Sequence, residues 1–359
     1  MTQFTPQTPS TQHDSIDTPI LPNQTVHQFK FTGNAGEYFK IWIVNFFLTI
    51  ITLGIYSPWA KVRRLRYFYG NTQLDNRSFD FTANPKNILI GRLIAIALYA
   101  LITIGGELSW KFAIATPILL FIALPWLFRS TLKFHARHSQ YNNVKFAFKG
   151  GLGQTYGLFL LTSLISIVSF GLLLPVVLWL IRGYQFNNLY FGNLKFNFKA
   201  TITDFYKAAV LPILLMILTI IGVIFFNFGI ADVIDASADT LLVSSIVFLY
   251  LLSLLVMPLM TAYIHQATYD GMAIGNNTLK LVNFSPFKLA LIIVSNYFAI
   301  IFSLGLLSAW AAIRVHRYKM QTLSLVAVDD LNNLTTPQGE EISAIGEEIS
   351  DVFDFDISW

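Results

Sequence analysis

The sequence contains no cysteine, which excludes disulfides, thiolate metal sites and cysteine nucleophiles together. It is also poor in charge. Only 12% of its 359 residues are Asp, Glu, Lys or Arg, against 54% hydrophobic residues. Soluble domains carry about 25% charged residues, so this surface cannot mostly face water. No nucleophile elbow, phosphate-binding glycine loop or zincin motif occurs, and no enzyme activity, cofactor or metal is expected. Residues 1–27 are rich in Thr, Gln and Pro, with no basic stretch leading into an apolar run. They read as a disordered, solvated tail rather than a leader.

What is present is a series of long apolar runs. Windows 41–60, 208–230, 240–264 and 289–313 hold no Asp, Glu, Lys or Arg, and neither do 112–128 and 154–181; window 87–106 is broken by Arg92 near its start. A bilayer-crossing helix needs about 20 residues, so the composition points to a membrane protein. The net charge of +4 hides an asymmetry: from Ala327 to Trp359 there are nine acidic residues and no basic one. The rest of the chain carries 24 basic against 11 acidic residues. The acidic tail, 326–359, is expected to be disordered.

The apolar runs are organised by a repeat. A short alternating segment appears as Phe29-Lys30-Phe31, Phe79-Asp80-Phe81, Phe146-Ala147-Phe148, Phe196-Asn197-Phe198 and, more weakly, Leu279-Lys280-Leu281. Asn76, Asn143, Asn193 and Asn276 lead four of these, a short-strand signal behind a turn. A shift of 117 carries Gly54 to Gly171, Pro58 to Pro175 and Tyr67 to Tyr184. A shift of 251 carries Asn45 to Asn296, Gly54 to Gly305, Trp59 to Trp310, Arg63 to Arg314 and Arg66 to Arg317. Five units follow, at about 29–81, 81–148, 148–198, 198–281 and 281–323, within one repeated domain at 28–325. The second and fourth hold two apolar helices each, and the others one long apolar stretch followed by a basic aromatic segment.

Lys and Arg gather beside the strands, whereas loop 229–240 carries Asp232, Asp235 and Asp239 alone. Short basic loops stay cytoplasmic, so the strands are placed on that side. The odd-numbered units then pose a parity problem. Their stretches either turn back at Gly54, Gly171 and Gly305, with return arms at 58–69, 175–190 and 309–322, or cross once and end in an interfacial helix. The first is favoured, because the repeat wants every strand on one side, where strands of different units can pair. The expected fold is an all-α polytopic membrane protein of repeated transmembrane helical hairpins joined by short cytoplasmic β-strand segments.

Candidate site residues are few. Arg63 and Arg66 share a helix face, as do Arg314 and Arg317, and with Arg64 and Arg182 they could line a path for an anion or meet phospholipid headgroups. The plainer reading is topological anchoring with Trp and Tyr at the interface. Asn45, Asn296 and, in the third copy, Thr162 are polar groups inside apolar helices, where helix-to-helix hydrogen bonding is the usual role. Gly54, Pro58, Gly171, Pro175 and Gly305 mark helix breaks. His135, His138, His265 and Asp270 have no spacing that singles out a metal site. The basic residues are distributed as topology requires, so nucleic acid is not an expected partner.

Three stretches carry a family resemblance: Phe29-Lys30-Phe31-Thr32-Gly33-Asn34 with Tyr38-Phe39, then Leu53-Gly54-Ile55-Tyr56-Ser57-Pro58-Trp59-Ala60-Lys61-Val62-Arg63-Arg64, then Tyr69-Gly70-Asn71-Thr72. They resemble the YjgN family of bacterial inner-membrane proteins, over roughly 28–325. The resemblance implies a multi-pass protein of the bacterial inner membrane and supplies no catalytic or substrate-binding residue. The leading functional expectation is a transporter or channel-like protein whose repeats enclose a polar path for a small anionic solute. The alternative is a non-transporting protein that binds anionic lipid headgroups or a partner through its basic cytoplasmic face.

Overall fold

The computed structural model describes residues 24–108, 110–234 and 238–328. Both tail expectations fall largely outside these residues. The chain enters through β1 (Thr25–Gln28) and β2 (Lys30–Phe31). Each Asn-led turn then closes a hairpin around two residues: β3 (Thr72–Leu74) with β4 (Arg77–Phe81), and β5 (Ser139–Tyr141) with β6 (Val144–Phe148). β7 (Leu189–Phe191) pairs with β8 (Leu194–Asn197), and β9 (Ala273–Ile274) with β10 (Asn277–Leu281). Asp75, Asn76, Asn142 and Asn143 all take positive φ, as a type I′ turn demands at both central positions.

These hairpins do not stay separate. β4 pairs with β5, β6 with β7, β8 with β9, and β10 with β11 (Leu323–Ala327), all antiparallel. The result is one 11-stranded sheet ordered β1-β11-β10-β9-β8-β7-β6-β5-β4-β3-β2. Its two edge strands are consecutive pieces of one segment: β1 pairs with β11, the Phe29 amide donates to the Leu323 carbonyl (3.1 Å), and β2 pairs with β3. The sheet is therefore an almost closed, barrel-like ring. Strands of different units do pair, but the all-α expectation is wrong. The strand arms it missed, β3, β5, β7 and β9, have two or three residues, too few to show a period of two.

Among the described residues, ten helices rise from this ring: α1 (Ala35–Ile51), α2 (Ser57–Gly70), α3 (Pro85–Leu108), α4 (Trp110–His138) and α5 (Leu152–Val168). They continue as α6 (Leu174–Asn187), α7 (Ile202–Ile234), α8 (Ala238–Tyr269), α9 (Pro286–Phe302) and α10 (Ser308–Gln321). Each packs on the next and α10 packs on α1, so the helices also close a ring. The Asn34 side chain caps α1 by accepting from Gly36 N at 2.8 Å, and Ser285 caps α9. Between sheet and helices lies a core of Leu132, Phe148, Phe186, Phe196, Phe205, Met272 and Leu325, all buried.

The hairpins come in two lengths, and the expectation that all of them are transmembrane is corrected by the few helices of spanning length. Gly54, Gly171 and Gly305 take φ of +90°, +82° and +91° and break the uncharged windows into arms of 17 residues (α1, α5, α9) and 14 residues (α2, α6, α10). The chain turns back at each glycine, and the second arm packs on the first. Among the described residues, two segments are long and apolar enough to cross a membrane, Ile202–Asn227 in α7 and Leu242–Tyr269 in α8. The pair α3 and α4 shares their hairpin layout, with 24 and 29 residues.

Candidate functional site

The arginines singled out by the repeat perform two recurring tasks, and both bind the protein to itself. The first is an interarm clamp near the middle of a short hairpin. Arg314 Nη1 donates to Asn296 Oδ1 at 3.2 Å and to Ser295 Oγ at 2.6 Å, while Asn296 Nδ2 donates to the Ala311 carbonyl at 3.1 Å. The guanidinium also lies 5.0 Å from the Trp310 ring centre. In the first unit the same clamp is looser: Arg63 Nη1 reaches Asn45 Oδ1 at 3.4 Å and the Tyr56 hydroxyl at 3.0 Å, and Asn45 Nδ2 reaches the Ala60 carbonyl at 3.5 Å. Asn45 and Asn296 are 6% and 4% exposed, and their amides are satisfied across the arms. Thr162 does not join its hairpin, because its hydroxyl donates back to Leu158 and Phe159 of its own helix.

The second task sits where each strand leads into a helix. Arg66 donates from Nε to the Phe81 carbonyl and from Nη2 to the Ala83 carbonyl, both at 3.1 Å. Arg317 Nη2 donates to the Gly33 carbonyl at 2.8 Å. Sequence reasoning missed two members of this set: Arg129 Nε donates to Gly150 O at 2.6 Å, and Trp179 Nε1 to Ala200 O at 2.8 Å. The signal was on the acceptor side. Gly33, Ala83, Gly150 and Ala200 each stand two residues beyond the aromatic strand position, and at Gly33 and Gly150 a Cβ would run into the ring of that aromatic residue, Phe31 or Phe148.

The remaining predicted residues scatter. Arg64 is exposed and Arg182 donates to Gln185 Oε1 at 3.1 Å. Arg92 donates to the Ser57 hydroxyl. Pro58 and Pro175 are buried at the start of the returning arms, where a missing N–H is tolerated. His135 and His138 pack against the Phe81 ring at 6.1 and 6.2 Å. Elsewhere in the interior, His265 Nε2 and the Tyr269 hydroxyl are buried without a hydrogen-bond partner, their rings 4.6 Å apart.

His316, on the last turns of α10 beside the sheet, lies edge-on to Phe31 (4.7 Å) and Phe68 (4.9 Å), with Nε2 3.0 Å from Thr72 Oγ1. Burial, then the nearby Lys319 and Arg64 charges, push its pKa down from 6.5 to about 3. The unfolded chain takes up that proton near pH 6.5 while the folded chain resists it. The resulting stability is complete above pH 6.5 and is lost as pH falls toward 3. The melting midpoint of a His316→Gln variant is therefore expected to fall less steeply than wild type between pH 6.5 and 4. Parallel curves would refute the assignment.

The family profile described as "Bacterial protein of unknown function (DUF898)" matches residues 26–352. The chain belongs to this family. It is 27% identical over 239 residues to "Inner membrane protein YjgN" of Escherichia coli strain K12, covering 56% of this chain and 60% of that protein. It is 36% identical over 126 residues to the Salmonella typhimurium protein of the same name, covering 34% and 31%. The first match thus spans about three-fifths of its relative's length. No solved structure matches the chain at a significant level. The family has no assigned function, and the relatives matched here carry names that place them in the inner membrane. The most repetitive residues of this chain, Arg63, Arg66, Arg314 and Arg317, hold its own hairpins and strand exits.

Proposed function

We propose that the protein is a multi-pass inner-membrane protein, crossing with the α3–α4 and α7–α8 hairpins, that binds anionic lipid headgroups on the sheet side and catalyses no reaction. One observation carries this reading. Arg63, Arg66, Arg314 and Arg317, which would line a solute path, are engaged by backbone carbonyls and side-chain groups of the chain itself, whereas a set of lysines near the helix starts is exposed. Lys40, Lys86, Lys149, Lys199, Lys207 and Lys288 are all exposed, each within two turns of the sheet end of a helix. A lysine near an anionic leaflet contributes about 1 kcal/mol of attraction, and the positive-inside rule places this face in the cytoplasm.

The reconstituted protein is expected to enrich spin-labelled phosphatidylglycerol over phosphatidylethanolamine in its motionally restricted shell. The preference should shrink when Lys40, Lys86, Lys207 and Lys288 are changed to Gln, and in high salt. An unchanged lipid shell in that variant overturns the reading. A transport reading keeps one specific support: His265 Nε2 and the Tyr269 hydroxyl are buried side by side without a hydrogen-bond partner, polar groups a solute could engage. Solute flux in proteoliposomes that is lost in His265→Ala would favour it.

A further inference from the structure

The three short hairpins have a property that neither the family nor the sequence reading assigns. Their tips are the most exposed large apolar side chains among the described residues: Leu53 is 93% exposed, Phe170 96% and Leu304 93%. The residues just beyond, Ile55, Leu172 and Leu306, are exposed as well. Leu53, Phe170 and Leu304 also take positive φ, at 50°, 49° and 49°, a conformation unfavourable for residues with a bulky Cβ substituent. An apolar side chain held at a strained, fully projecting position three times over is poorly suited to water.

The backbone of each tip is satisfied from within. Gly54 N donates to Thr49 O (2.7 Å), Gly171 N to Ser166 O (3.1 Å) and Gly305 N to Ile300 O (2.8 Å), the six-to-one bond of a Schellman turn. A hydroxyl then takes up the next free amide: Tyr56 N donates to Thr52 Oγ1 at 3.0 Å, Leu173 N to Ser169 Oγ at 3.3 Å and Leu307 N to Ser303 Oγ at 3.0 Å. Water would supply those partners at an exposed turn. Lipid cannot, so a turn in hydrocarbon must supply its own.

Depth decides how far these tips reach. Each helix begins or ends within a few residues of a strand. At 1.5 Å per residue, Arg63, Arg314, Arg92, Arg129, Arg182 and Lys207 all lie within about 14 Å of the sheet end of their helices. Beyond that level, the next charges are those near the far ends of the long hairpins, such as Glu107 and Asp232. A 17-residue arm places a tip about 25 Å from the sheet, against about 50 Å for the 33 residues of α7. The tips thus pass the charge boundary by only about 12 Å, less than half of a hydrocarbon core of about 30 Å.

We propose that the hairpins α1–α2, α5–α6 and α9–α10 enter one leaflet only, with their glycine turns surrounded by acyl chains near the bilayer midplane. This rests on the reading that the long hairpins cross the membrane. The protein is then asymmetric across the bilayer: it displaces the acyl chains of the sheet-side leaflet with ten helices and those of the opposite leaflet with four.

The absence of native cysteine makes a direct test available. Ile55→Cys, Leu172→Cys and Leu306→Cys report the three tips, Asp239→Cys the far end of α7–α8, and Lys145→Cys the sheet. In membrane vesicles an impermeant maleimide should label Lys145→Cys from the sheet side only and Asp239→Cys from the other side only. The three tip variants should stay unlabelled from both. Spin labels at the tips should show high oxygen and low nickel-chelate accessibility. Tip labelling from the Asp239 side would make the short hairpins transmembrane, and labelling from the Lys145 side would place them outside the membrane. Either overturns the proposal. If Asp239→Cys and Lys145→Cys label from the same side, the crossing reading itself has failed. Should a tip variant not insert, Leu53→Cys, Phe170→Cys or Leu304→Cys replaces it.

Discussion

Phe81→Ala is expected to destabilise the protein by about 3–5 kcal/mol, the range for deleting a fully buried Phe side chain. Phe81 is 0% exposed at the last position of β4. Its ring meets Tyr69 at 5.5 Å, His135 at 6.1 Å and Phe134 at 6.4 Å, so it joins α2 to α4 through the strand between them. The same residue's carbonyl receives Arg66 Nε, and a cavity beneath it would loosen that anchor too. Phe79, two positions earlier on the strand, is only partly buried against Phe29 and Tyr141. Its change to Ala should cost clearly less. Thermal melting midpoints in one detergent would compare the pair, and equal losses would contradict the packing described.

Asn296→Ala is expected to cost about 2 kcal/mol, the scale of removing a buried, doubly anchored polar group. Its amide joins the Ala311 carbonyl and the Arg314 guanidinium across the two arms. Asn45→Ala should cost less, because the equivalent contacts are longer, at 3.5 and 3.4 Å. Thr162→Ala should cost least, under about 1 kcal/mol, since its hydroxyl serves only its own helix. The order Asn296, Asn45, Thr162 in melting midpoint is the result to look for. A reversed order would show that the three copies are not stabilised by the clamp.

Much of this was legible before the fold was known. The 251-residue shift pairs Arg63 with Arg314 and Arg66 with Arg317, and each pair makes equivalent contacts. The glycines at 54, 171 and 305 turn the chain, because a Schellman turn followed by positive φ needs a residue without Cβ. For the arginines the residues alone left a polar path and topological anchoring both open; the structure gives Arg66 and Arg317 backbone carbonyls on other units as partners, Phe81 and Ala83 or Gly33. Carbonyls leave no trace in residue type. Arg129 and Trp179 escaped for the same reason: donors of different chemistry serve one repeated acceptor, and only the acceptor position recurs.

By itself the sequence determined the long apolar runs, the Asn-led turns and the places where helices break. Each is local or compositional: a 20-residue apolar run, a turn residue that tolerates positive φ, a glycine at a fixed offset. Tertiary structure alone decided that two- and three-residue strand arms join into one 11-stranded ring, that Thr25–Phe31 closes it, and that hairpins of two lengths stand side by side on it. Those outcomes depend on hydrogen bonds between residues as distant as Thr25 and Ala327. A short strand gains its stability from a partner elsewhere in the chain, and no window of the sequence contains both.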